Sequence, residues 1–175
     1  VSAMNVIRSQ SLRNTDFRDP AQVLQGLNEA FPMENQNDMF FTIWYGVYRK
    51  SLRQLDYASA GHPPALLLSG ASETAAKAAE LKTPNLMVGC MPDITYKKAS
   101  CTVEAFGRLF VFSDGVYEIA QPDGTMWSYA EFATLLARRE PGANPDLERA
   151  ITAARERRRG DTFEDDVSLV QVDFA

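Results

Sequence analysis

Two short acidic stretches stand at the borders of apolar runs. In LFVFSDGVYE, residues 109–118, a run that reads as a strand stops at Ser113-Asp114-Gly115. Near the other end of the chain, Glu164-Asp165-Asp166 stands directly before VSLVQV. A strand holds its terminal side chain more firmly than a loop does, and carboxylate oxygens on such a frame suit hard divalent cations. A plainer chemistry accounts for both as well, since Asp-Gly is common in turns and an acidic run can be a solvated loop. Residue types and spacing alone leave the two readings open.

Other chemistries fail on the letters. His62 is the only histidine, so a mechanism that needs two is excluded, as is a His-rich metal cluster. It sits in Ala60-Gly61-His62-Pro63-Pro64, where the local pattern predicts a corner residue whose ring bonds the backbone; a catalytic acid is the alternative. Cys90 and Cys101 lack the C-x-x-C spacing of a zinc site and read as reduced, buried thiols. Six residues after them stand Tyr96 and Gly107 where a cysteine phosphatase needs Arg. Phe112, two residues before Asp114, closes the D-x-D route of haloacid-dehalogenase phosphatases. No G-x-x-x-x-G-K-[ST] loop, G-x-G-x-x-G fingerprint or G-x-S-x-G elbow occurs.

The elements that must carry these acids are legible in outline. Residues 1–13 carry Val1, Met4, Ile7 and Ser11 at helical spacing. A second helix is announced by Asp19 as cap, Pro20 at its first position and Gln22 for a capping box, with Val23, Leu24, Leu27, Ala30 and Phe31 as its buried face. FFTIWYGVY reads as a central strand covered on both sides. A polar turn over Arg49–Arg53 follows, then LDYASAGHPPALLL as two strands around a tight corner. Residues 70–80 are small and polar and predict a mobile loop; further strands are expected near 96–103, 108–113 and 167–172. Between the last two lie a Pro122-Asp123-Gly124 turn, a helix capped by Ser128 with Glu131, and one opened by Asn144-Pro145. Helices grouped around long hairpins indicate an α+β layered α/β/β/α sandwich with central antiparallel sheets, formed as one domain over residues 1–175.

Composition narrows the partners. Hydrophobic residues make up 45% of the 175 and charged residues 23%, enough apolar surface for a core and too much for a disordered chain. A net charge of -5 gives no field for nucleic acid, and the basic run Arg155–Arg159 suits the C-terminal pole of a helix. No apolar stretch approaches the roughly 20 residues of a membrane helix, so membrane insertion is not expected and the cytoplasm is the predicted compartment.

Taken in order, SAGHPPALLL, LMVGCMPD, LFVFSDGVYE and DDVSLVQV closely resemble the SpoIIE-like and RsbU-like bacterial branch of the metal-dependent PPM serine/threonine phosphatases. The resemblance covers nearly the whole chain. It implies a β-sandwich flanked by helices that holds Mn²⁺ or Mg²⁺ in a cleft and hydrolyses phosphoserine or phosphothreonine with a metal-activated water, without a protein nucleophile. By motif, Asp114 and Asp165 would be the metal ligands, with Asp166 the alternative to Asp165; Gly115 would keep the backbone close to the site. His62 falls in a structural corner. The partner implied is a phosphorylated regulatory protein of the anti-anti-sigma type, with a sensor or receiver domain upstream of the catalytic domain.

Two acidic motifs of that family, one resembling G-G-D-x-Y-D and one D-V-S-G-H-G, are absent from these residues. VSAMNVIRSQ resembles the helix that follows the second of them. The reading is therefore of the C-terminal portion of the domain, lacking its first strands, with weak metal binding and no competent two-metal centre. Uncovered strand edges would let a second copy pair to form a homodimer. Trp127-Ser128 stands where relatives often have Phe-Gly, a departure that bears on the loop geometry there and not on the chemistry. Two functions follow: an enzyme domain acting on a phosphoprotein, or a non-catalytic pseudophosphatase that binds one.

Overall fold

In a computed structural model, which describes residues 2–35, 39–138, 146–158, 163 and 165–174, the elements run in chain order as follows. They are α1 (Ala3–Ser9), α2 (Pro20–Ala30), β1 (Ile43–Arg49), β2 (Gln54–Ala60), β3 (Ala65–Gly70), β4 (Lys77–Leu81), β5 (Ala99–Thr102), β6 (Phe106–Phe112), β7 (Ile119–Ala120), β8 (Met126–Trp127), α3 (Tyr129–Ala137), α4 (Asp146–Arg157) and β9 (Leu169–Asp173). The chain is mixed α/β with antiparallel sheets, as the sequence predicts. It divides into two compact units, Val1–Pro64 with Leu81–Val103, and Ala65–Glu80 with Glu104–Ala175. Among the described residues no helix is long and apolar enough to cross a membrane.

The first unit places α2 on a sheet of order β1-β2-β5, with Val23, Leu24 and Leu27 packed among Ala58, Ala60, Val88 and Tyr96. Asp19 caps α2 as expected, its Oδ1 accepting the N–H of Ala21 at 3.0 Å. The other half of the capping box does not form, because the Gln22 side chain accepts instead from the Asp16 N–H. Ala30 is exposed, and the polar Asn28 takes its place on the buried face.

β1 is not the central strand that its aromatic content predicts. It pairs with β2 alone among the named strands, and its residues are at most half-buried. Its rings find partners without a second strand: Trp44 stacks on Tyr57 at 5.9 Å and donates from Nε1 to the Leu81 carbonyl, and the Tyr45 hydroxyl donates to the Phe17 carbonyl. The strand buried on both faces is β2, from Leu55 to Ala60, whose small and polar residues carry a weaker apolar signal. Polar groups there are satisfied in place, with the Ser59 N–H bonded to the Thr83 hydroxyl at 2.8 Å. Both cysteines are free and half-buried, less enclosed than expected; burial, and then the nearby Asp56, pushes the Cys101 thiol up.

In the second unit the sheet order is β4-β3-β6-β9, with β6 antiparallel to both β3 and β9. β4 lies where a mobile loop was predicted: its Ala and Lys residues form an exposed edge strand, a place that needs little apolar character. Phe110, Phe112, Trp127, Phe132 and Leu136 are almost wholly buried and join the alanines of α4 in one core. The turn after Ala120 forms a small β7-β8 hairpin, in which Gly124 adopts φ 87°. Ser128 and Glu131 close a complete capping box on α3. The residues expected to open α4, Asn144 and Pro145, lie outside the described residues, as does Arg159. Arg155 and Arg157 occupy the last turn of α4, and the Arg157 guanidinium lies 4.4 Å from the centre of the Trp127 ring.

Asp19 gives a direct test of the first unit. Partial burial works to raise its carboxyl pKa, but the Lys98 ammonium and the N–H groups of Ala21 and Gln22 overcome that and hold it below the ordinary value. A depressed carboxyl stabilises above its unfolded value and loses that stabilisation as pH falls through the folded one. Asp19→Ala should therefore cost about 1 kcal/mol at neutral pH, measured by urea denaturation, with the difference from the parent closing below roughly pH 4.

Candidate functional site

β6 is held on both sides, and its side chains Leu109, Phe110 and Phe112 are buried. Past Ser113 the backbone makes one 3₁₀ turn, Asp114–Val116, and the N–H groups of Tyr117 and Glu118 both donate to the Asp114 carbonyl, at 2.9 and 2.8 Å. Behind the turn Phe112 meets Phe132 edge-on at 4.9 Å and Tyr117 at 6.0 Å, and stacks on Tyr129 at 5.7 Å. Burial pushes the Tyr117 hydroxyl up to about 12, helped by the charges of Glu118 and Asp114, so the ring stays neutral beneath the turn. The backbone of Asp114 is thus anchored while its side chain stays exposed.

A serine joins this turn to the second acidic stretch. The Ser113 N–H donates to the Ser168 carbonyl at 3.0 Å, the Ser113 hydroxyl donates to the Asp166 carbonyl at 2.9 Å, and the Ser168 N–H donates back to that hydroxyl at 2.9 Å. Gly115 makes the approach possible: a Cβ there would stand 2.6 Å from the Asp166 carbonyl oxygen and 3.3 Å from the Asp165 carbonyl carbon. Only a residue without a side chain lets the two segments lie this close.

The structure therefore brings Asp114, Gly115, Asp165 and Asp166 together from two elements far apart in sequence. Asp114 accepts from the Gly115 N–H at 3.1 Å and Asp165 from the Asp166 N–H at 2.7 Å, each through Oδ1. Their second oxygens, and the whole Asp166 carboxylate, make no hydrogen bond or ion pair among the described residues. Exposed carboxylates unmatched by a cation are the donor chemistry that Mn²⁺ or Mg²⁺ takes. No group of three or more His, Cys, Asp or Glu residues placed to hold a metal occurs among the described residues. Glu164, part of the same acidic run, lies outside them. His62 belongs to the first unit, where its Nδ1 donates to the Pro63 carbonyl at 2.9 Å, the backbone role its corner predicts. Ser113 is the residue that sequence reasoning passed over; the signal was a serine at the end of each of two apolar runs, SDG and DVS.

This fold is that of PP2C-like phosphatase domains. The SiaA-PP2C domain of Pseudomonas aeruginosa superposes with a TM-score of 0.77 over 99% of this chain and 68% of its own, at 19% identity. The PP2C phosphatase domain of SpoIIE from Bacillus subtilis, solved with a fragment of its regulatory domain, gives 0.72 over 97% of this chain and 47% of its own, at 14% identity. In sequence, the family model for stage II sporulation protein E (SpoIIE) matches residues 1–175, and the chain belongs to that family. It is also 33% identical over 105 residues to the phosphoserine phosphatase RsbU of Bacillus subtilis (strain 168); the match covers 60% of this chain and 30% of RsbU.

Gly115→Ala should force the two acidic segments apart. A loss of about 1–3 kcal/mol is expected from the clash, together with faster hydrogen exchange at the Ser168 amide, read by NMR.

Proposed function

We propose that this chain supplies Asp114 and Asp165 to a Mn²⁺ or Mg²⁺ centre that hydrolyses phosphoserine or phosphothreonine on a regulatory protein. The observation that carries this reading is the close approach at Gly115, which holds two cation-free carboxylate segments side by side. Support comes from membership of the SpoIIE family and from relatives of the same fold described with magnesium (RsbX) and manganese (SpoIIE). Bound there, the ions would acidify water and neutralise phosphoryl charge. The chain's own part is to orient the carboxylates: the Gly115 and Asp166 N–H groups each bond one oxygen and leave the other without a hydrogen bond among the described residues. Asp166 is the alternative ligand to Asp165. Ser113 and Gly115 position the pair without touching the substrate.

Two carboxylates leave a divalent ion mostly hydrated, so we assign these 175 residues weak metal binding and little turnover unless further acidic ligands join them. The phosphorylated partner is of the anti-anti-sigma type, as the resemblance implies. Manganese binding followed by electron paramagnetic resonance should show weak uptake, with Asp114→Asn and Asp165→Asn each weakening it by about tenfold or more. Uptake unchanged in both variants would refute the ligand assignment. Brisk Mn²⁺-dependent hydrolysis of a phosphoserine peptide by the 175 residues alone would refute the ligand-count argument.

A further inference from the structure

A cavity of about 480 Å³ opens on the first unit, between the C-terminal end of α2 and residues 89–93. That volume is typical of a binding pocket. Its floor is held by hydrogen bonds. Asn28, 4% exposed, accepts through Oδ1 from the Gly89 N–H at 2.8 Å and the Tyr96 hydroxyl at 3.1 Å, while its Nδ2 donates to the Met91 carbonyl at 2.9 Å. The Met33 N–H donates to the Gly89 carbonyl at 3.0 Å. Gly89 adopts φ +89°, and a Cβ there would stand 2.5 Å from the Phe31 carbonyl oxygen. These ties set the shape of the cavity before any ligand enters.

The lining pairs two kinds of surface. Met33 and Met91 offer flexible thioether walls, and Met91 is 51% exposed. Glu29, Glu34 and Asp93 also line it, whereas among the described residues no Lys, Arg or His does. None of the three carboxylates has an ion pair among the described residues. An exposed apolar wall favours a partner that buries it, and unmatched carboxylates select the sign of that partner's charge. Methionines adapt to more than one apolar shape, which suits a peptide segment better than a rigid ligand.

We propose that this cavity docks a basic, apolar segment of a protein partner, seating an Arg or Lys among Glu29, Glu34 and Asp93 and an aliphatic neighbour against Met33 and Met91. The assignment does not use Asp114 or Asp165 and stands or falls separately from the phosphatase reading.

The probe is a fluorescein-labelled hexapeptide of leucine and arginine, titrated against the whole chain at low salt and followed by anisotropy. Matching peptides with glutamate for arginine, or serine for leucine, serve as controls. The leucine–arginine peptide should bind and both controls should be markedly weaker. Combining Glu29→Gln, Glu34→Gln and Asp93→Asn should lower its affinity about tenfold, the combined worth of three exposed ion pairs. Met91→Ser, at an exposed position outside the core, should weaken it several-fold and guards against misfolding of the triple variant. Bound peptide should also slow alkylation of Cys90, which lines the cavity, and leave Cys101 unaffected. Absence of binding, equal binding of the glutamate peptide, or binding without protection of Cys90 would each overturn the proposal.

Discussion

Everything proposed for the acidic pair depends on one close approach, that of the 165–166 backbone to Gly115. Two carboxylates repel each other, and nothing in their own chemistry would hold them together. The position is imposed from behind by neutral groups. Three hydrogen bonds through Ser113 tie the strand entering the turn to the strand that follows the acidic run, and the aromatic cluster around Phe112 keeps the turn from moving back. Sheet hydrogen bonds and packed rings, and not the acids themselves, thereby set where the two segments lie.

The first unit solves a related problem with different means. Asn28 ties Gly89, Met91 and Tyr96 to α2 through its side-chain amide, and the left-handed glycine at 89 allows the loop to press on the α2 exit. In both units a glycine marks the place where two backbones meet and a small polar side chain supplies the bonds across the gap. Ser113 with Gly115, and Asn28 with Gly89, are two instances of one device.

Much of this was legible in the sequence where a short-range rule decides. Asp19-Pro20 and Ser128 with Glu131 mark helix starts because capping depends on neighbours only a few residues away. The backbone bond of the His62 ring followed from its Gly-His-Pro-Pro corner, whereas the pairing of Asp114 with Asp165 was implied only by the family resemblance. What sequence pattern missed depended on long-range pairing. FFTIWYGVY reports how well its rings are covered, and says nothing about which strands bond its edges, so β1 looked central. Residues 77–81 looked like a loop because an edge strand has little need of apolar residues. The Ser113 staple joins residues more than fifty positions apart, so the two serines, each visible at the border of an apolar run, could not be paired from local pattern.

The two tryptophans fall one in each unit, Trp44 against Tyr57 in the first and Trp127 under Arg157 in the second. Nature has thereby supplied each half with its own fluorophore. The second sits buried beneath a guanidinium cation, a setting that colours its emission differently from that of a half-exposed indole stacked on a phenol. Replacing one indole by phenylalanine would therefore leave the natural emission of the other to report on its own unit alone.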